Sequence, residues 1–152
     1  MTQLTFLGAA RTVTGSKYLL THNGRRVLFD CGLFQGKRAE SYARNRDFPF
    51  RTRDIDAVVL SHAHVDHCGN LPNLVRRGFA GPIYCTPATR ALASVMLGDA
   101  AKIQVEDANY LNHKRQKGDA KVDPLFDSRD VFRTLTKLQA KGYGEPFTIG
   151  KG

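Results

Sequence analysis

The fold turns on the stretch "IDAVVLSHAHVDHCG", residues 55–69. Its first half carries the uninterrupted apolar run Ala57 to Leu60, the pattern of a strand buried on both faces. The second half packs three of the chain's five histidines and an aspartate into six positions, His62 to His67. From the composition of the 152 residues, a His-x-His-x-Asp-His spacing would arise somewhere by chance only about 4 times in 10,000. Coincidence is a poor explanation.

In an extended segment residues i and i+2 point the same way, so His62 and His64 can converge on one ion just past the strand. Asp66 and His67 lie beyond them, where a turn into the next helix could swing them toward a second ion. Three imidazoles and a carboxylate suit Zn²⁺ and tolerate Mn²⁺ or Fe²⁺. Two ions about 3.5–4 Å apart could share a hydroxide, lower the pKa of water to about 7 and clamp the attacking and leaving oxygens of a displacement. Hydrolysis is the natural reaction class. Four ligands do not close two sites, and the remaining histidines, His22 and His113, fall in a hairpin and a polar helix end with nothing metal-like around them. Asp30, ending a strand in "LFDCG", reads as a group that orients a metal-bound imidazole through its other N–H, with a turn-capping aspartate as the alternative.

Working outward, "QLTFL" (3–7) reads as a strand closed by Gly8, followed by the loop "RTVTGS". "KYLLTH" and "RRVLFD" flank Asn23-Gly24, a strong hairpin signal because both residues tolerate positive φ. From Cys31 to Asp54 the pattern is irregular and charged. "NLPNLVRRGF" reads as a short helix stopped by Gly78, "GPIYC" as a buried strand, and Thr86-Pro87 as an N-cap with proline at the first helical position. Leu92, Val95, Met96 and Ile103 keep one face of that helix apolar to about Val105. "EDANYLNHKRQKGDAK" (106–121) is polar and reads as an exposed helix end or loop. Asp127 or Ser128 caps a last helix, "RDVFRTLTKLQAKG", with Val131, Leu135 and Leu138 on one side. "EPFTIGKG" has the look of a strand leading into a turn. A hairpin followed by alternating strands and helices predicts an α/β layered fold, with few elements to cover both faces of its sheet.

The formal charge of +9, from 23 Lys+Arg against 14 Asp+Glu, favours a polyanionic partner such as nucleic acid. No apolar run approaches the roughly 20 residues a bilayer span needs, so the expectation is no membrane association and a cytoplasmic location. Cys31, Cys68 and Cys85 show no Cys-x-x-Cys spacing and read as small buried side chains in a reducing compartment.

His62-x-His64-x-Asp66-His67 after a buried strand, with Asp30 closing an earlier one, resembles the metallo-β-lactamase superfamily. "LGAARTVTGSKYLL", "LFDCGLFQG", "LSHAHVDHCGNLPNLVRRGFAGPIYCTPATR" and "DPLFDSRDV" narrow the resemblance to the β-CASP branch, whose members process RNA or DNA, and within it to relatives of the mRNA 3′-end cleavage endonuclease. The resemblance implies an αβ/βα sandwich with a two-zinc site between its sheets. His62 and His64 would bind one zinc and Asp66 and His67 the other, with Asp66 also steering the attacking water. The family's next histidine, its bridging aspartate, the β-CASP insert and the second sheet have no counterpart here. Residues 1–152 are thus expected to be the N-terminal part of a metallo-β-lactamase domain, only the first αβ half, incomplete as a catalyst alone.

Three readings follow. The leading one is a zinc-dependent phosphodiesterase acting on RNA, with DNA as the alternative polymer. The second keeps the superfamily but takes a thioester, a lactone or another small molecule. The third is a truncated, non-catalytic binding protein with an uncovered core face and a tendency to self-associate as a homo-oligomer.

Overall fold

The computed structural model describes residues 1–116, 118 and 120–149. Strands β1 (Thr2–Gly8), β2 (Lys17–His22) and β3 (Arg25–Phe29) form an antiparallel meander. Its second turn is Asn23-Gly24, with φ of 46° and 79°, the left-handed geometry that a two-residue hairpin requires. β3 pairs in parallel with β4 (Ala57–Val59), β4 with β5 (Ile83–Cys85) and β5 with β6 (Leu138–Ala140). The strands therefore stand in chain order in one mixed sheet.

Leu19, Leu28, Val58, Ile83 and Leu138 lie in register across that sheet and are all buried. They meet Leu71, Leu74, Leu97 and Phe126 from α3 (Leu71–Arg76), α4 (Pro87–His113) and the segment before α5 (Ser128–Leu135), which close the core on one face. Each such leucine contributes about 1.5–3 kcal/mol by leaving water. The opposite face stays open: Leu4 and Phe6 on β1 and Phe29 on β3 are exposed, Phe6 to 62%. This is the α/β half expected, one sheet with helices on one side. Among the described residues no helix is long and apolar enough to cross a membrane.

Several local expectations need correction. The irregular stretch after Cys31 contains a helix, α1 (Arg38–Arg46), whose polar residues give little amphipathic signal. It is tied down by Asn45, which exchanges 2.8 Å hydrogen bonds with both the N–H and the C=O of Phe34. The helix expected over "NLPNLVRRGF" is preceded by a separate short turn of helix, α2 (Val65–Cys68), and Gly78 follows with φ of 106°. α4 is capped as expected, Thr86 Oγ1 accepting from Thr89 N at 3.2 Å, but it continues to His113. Its buried residues are Thr89, Ala93, Leu97, Ala101 and Ala108, whereas Leu92, Val95, Met96 and Ile103 are exposed. Thr89, Ala93, Leu97 and Ala101 form one row spaced four apart, and its small members let the helix axis approach the core closely, which outweighs the greater hydrophobicity of the other face.

Asp127 caps α5 as anticipated, accepting from Arg129 N and Asp130 N. The helix ends at Leu135 instead of running through "KLQAKG", because the free edge of β5 takes those residues as β6: Ile83 N donates to Lys137 O at 2.9 Å and Lys141 N to Cys85 O at 2.8 Å. "EPFTI" forms no strand; Phe147 instead packs on the Tyr84 ring, centroids 4.9 Å apart. Residues 106–113 of the polar stretch are helical; positions 117, 119 and 150–152 lie outside the described residues.

Candidate metal centre

β4 delivers the histidines to the end of the sheet. Past Val59 the ladder continues through Leu60 N to Tyr84 O (2.8 Å) and Asp30 N to Val59 O (3.0 Å), so residues 60–61 leave the sheet beside the end of β3. The chain then turns through α2, with His64 as its N-cap residue. Backbone bonds stitch this turn to two other segments: Ser16 N to Asp66 O (2.9 Å), Cys31 N to His67 O (2.8 Å), Leu33 N to Val65 O (3.0 Å) and Asn70 N to Cys31 O (2.9 Å). Such pairing spares buried amides the cost of lost hydration.

The fold brings all four cluster residues together. The His62 ring centroid lies 4.7 Å from that of His64 and 4.0 Å from that of His67, and Asp66 Oδ2 lies 3.6 Å from His67 Nε2. Asp30 is buried behind them, its carboxylate accepting from Ser61 N (2.8 Å), Ser61 Oγ (2.9 Å), Ser16 Oγ (3.2 Å) and His67 Nδ1 (2.7 Å). Its φ of 59° is one that aspartate adopts more readily than most residues. Proton counting then sets the tautomers. A carboxylate only accepts, so His67 donates its Nδ1 proton and Ser61 Oγ donates its own; the Ser61 oxygen is left to accept from His62 Nδ1 at 3.0 Å. In the neutral form each of these imidazoles thereby keeps its lone pair on Nε2, the atom a metal needs.

The donor set fits a divalent ion: two imidazoles with Nδ1 engaged, a third imidazole and a carboxylate at one pole of the sheet. As the side chains stand, no three His, Cys, Asp or Glu groups among the described residues are already converged to hold an ion. The imidazoles rest against one another, and binding requires side-chain rotation. His22 does not join them; it ends β2 at the far pole, with its Nδ1 2.6 Å from Thr2 Oγ1. His113 ends α4. The three cysteines are free and buried, and burial pushes the thiols of Cys31 and Cys68 up to about 12.

Sequence reasoning passes over Ser61, Ser16 and Lys17. Ser61 immediately precedes the histidine cluster, and its position between strand end and first imidazole is the available signal. Lys17 gives none: a lysine opening a strand reads as exposed, yet it is 6% exposed and its Nζ donates to Gly32 O at 2.6 Å. Desolvation pulls its pKa below the usual lysine value.

Replacing Asp30 by Asn keeps size and tolerates the same backbone, but turns an NH₂ toward groups that all donate. Zinc affinity, measured by competition with a chromophoric chelator, is expected to fall 10–100-fold. An unchanged affinity would remove Asp30 from the support of the site.

The sequence pattern of the metallo-beta-lactamase superfamily matches residues 11–141. The chain is 43% identical over 143 residues to Ribonuclease TTHA0252 of Thermus thermophilus, covering 94% of this chain and 29% of that protein. It is 35% identical over 158 residues to Integrator complex subunit 11 of Danio rerio, covering 97% and 26%. It is 39% identical over 101 residues to Transcription termination factor FttA of Methanocaldococcus jannaschii, covering 66% and 16%. The chain thus spans less than a third of the length of these relatives. They bear out the resemblance to the β-CASP branch. With that pattern running from the first loop through β6, and the histidine cluster seated where β4 ends, the chain belongs to the metallo-beta-lactamase superfamily.

Proposed function

We propose that this chain is the N-terminal αβ half of a metal-dependent phosphodiesterase that cuts RNA. The carrying observation is the pole beyond β4, where His62, His64, Asp66 and His67 meet with two imidazoles oriented through Asp30 and Ser61. His62 and His64 would hold one zinc ion, Asp66 and His67 a second. When bound, the ions supply Lewis acidity and lower the pKa of water to about 7. Asp66 would accept a hydrogen bond from the attacking water and so orient it; Asp30 keeps the His67 proton on Nδ1. The net charge of +9 suits a polyanionic substrate, and a relative named as a ribonuclease supports RNA over a thioester or lactone. Three free, buried cysteines suit a reducing compartment, and cytoplasmic residence belongs to this reading.

The test is the protein isolated from its native cells and loaded with zinc. It is expected to shorten an end-labelled RNA, to stop when a chelator is added, and to leave thioesters and lactones intact. Hydrolysis of a thioester or lactone with RNA untouched would replace this reading by the small-molecule one.

A further inference from the structure

The segment "DFPFRTRD" (47–54), irregular and charged in the sequence, forms with Arg77 a cavity of about 360 Å³ at the end of the sheet opposite the histidines. The opposition follows from the chain path: Thr52–Asp54 lead into β4 and the histidines leave it. Arg51, Arg53 and Arg77 line this cavity against one carboxylate, Asp47, for a formal charge of +2. Asp47 is taken by Arg77 (Oδ1 to Nη2, 3.2 Å), and the guanidinium groups of Arg51 and Arg53 have no ion-pair partner among the described residues.

The cavity is shaped by its framework. Thr52, between the two arginines, is buried and donates Oγ1–H to Arg77 O at 2.5 Å, which holds its neighbours outward. Arg53 lies across Gly78, where a Cβ would come within 3.0 Å of its Nε. Phe48 and Phe50, ring centroids 5.4 Å apart, form the apolar wall and rest on the core behind them. A second cavity, of about 310 Å³ between α1 and α4, sets Arg38 against Asp107 and Asp123 and has no such excess of positive charge.

We propose that the Arg51/Arg53/Arg77 cavity binds single-stranded RNA away from the metal pole, its arginines holding a backbone phosphate and its phenylalanines accepting a base. Cationic grooves that carry aromatic faces recognise single strands in this way, through charge and sequence-tolerant stacking. The site rests on the RNA reading above and deepens it: it is an anchor that adds affinity and does not touch the reacting phosphate.

The test is fluorescence anisotropy of a labelled single-stranded RNA with the full chain at several salt concentrations. Arg51→Gln/Arg53→Gln is compared with Lys102→Gln/Arg115→Gln, which removes the same charge from α4 and the residues after it. Both arginines of the cavity are exposed, so the variant is expected to melt like the parent. Binding is expected to weaken about tenfold at low salt, with the slope of log K against log[salt] reduced by about 0.7 for the one phosphate no longer neutralised, while the α4 variant changes less than twofold. Equal effects of the two variants would overturn the cavity and leave RNA binding intact. Displacement of the RNA by polyglutamate as readily as by unlabelled RNA would overturn the assignment in favour of an acidic protein partner. Absence of RNA binding by the parent chain at low salt would remove the RNA reading and this site together.

Discussion

Gly32→Ala is expected to destabilise the chain by about 3 kcal/mol or more, a large part of the ~5–15 kcal/mol that holds a domain folded. A Cβ at Gly32 would sit 1.6 Å from Asp66 O, 2.1 Å from its carbonyl carbon and 2.7 Å from His67 N. These are backbone atoms and cannot swing aside. Gly32 itself is held by its N–H to Ser16 O (3.0 Å) and its C=O from Lys17 Nζ (2.6 Å), and Asp66 O is held by Ser16 N (2.9 Å). Relief therefore requires the α2 turn to part from residues 31–33, breaking the bonds that seat the candidate ligands. Thermal unfolding is the measurement, with a fall of roughly 6–12 °C expected for a chain of this size. Gly98→Ala is the control: nothing lies within 4 Å of its Cβ position in the middle of α4, so about 1 kcal/mol of added stability is expected from helix propensity. A Gly32→Ala protein that melts with the parent would mean that the close approach of these two segments is wrong.

Loss of the first of the two proposed zinc ions, about half of the bound zinc, is the result expected for His62→Ala/His64→Ala. The proposed first ion takes its imidazoles from these two residues alone, and neither belongs to the buried core. The double variant should thus keep its fold in the absence of metal, melting within about 1 kcal/mol of the metal-free parent, because truncations outside the buried core cost little. Metal content after equilibrium dialysis, read by atomic spectrometry, separates the site from the scaffold. His22→Ala/His113→Ala removes the two histidines that the fold leaves at other places and should retain the parent's zinc. Equal zinc in the cluster variant and the parent would refute the ligand assignment.

Zinc also couples the two results. Any ion bound by the folded chain and not by the unfolded one adds stability by mass action. The parent should therefore melt higher with zinc than without it, while the His62/His64 variant should show a smaller rise.

Features written within a few consecutive residues are legible in the sequence itself. Asn23-Gly24 specifies its own turn, Thr86-Pro87 and Asp127 cap their own helices, and Ala57–Leu60 announces a buried strand by composition alone. The histidine cluster is equally local: its spacing makes convergence available as soon as a strand ends there. Helix α1 is not legible in this way, because its stability lies in Asn45 gripping Phe34 and not in an apolar stripe.

Local patterns of residues suffice to mark most of the strands and capped helices, and the four side chains that form one cluster. Packing settles that "KLQAKG" completes a sheet instead of a helix, that α4 buries its alanines and Leu97 and not its larger apolar residues, and that the imidazole Asp30 orients is that of His67, 37 positions away. One cause underlies all three. A vacant strand edge, the depth available between helix and sheet, and the partner of a buried carboxylate are all set by distant segments, so they exist only once the chain has folded.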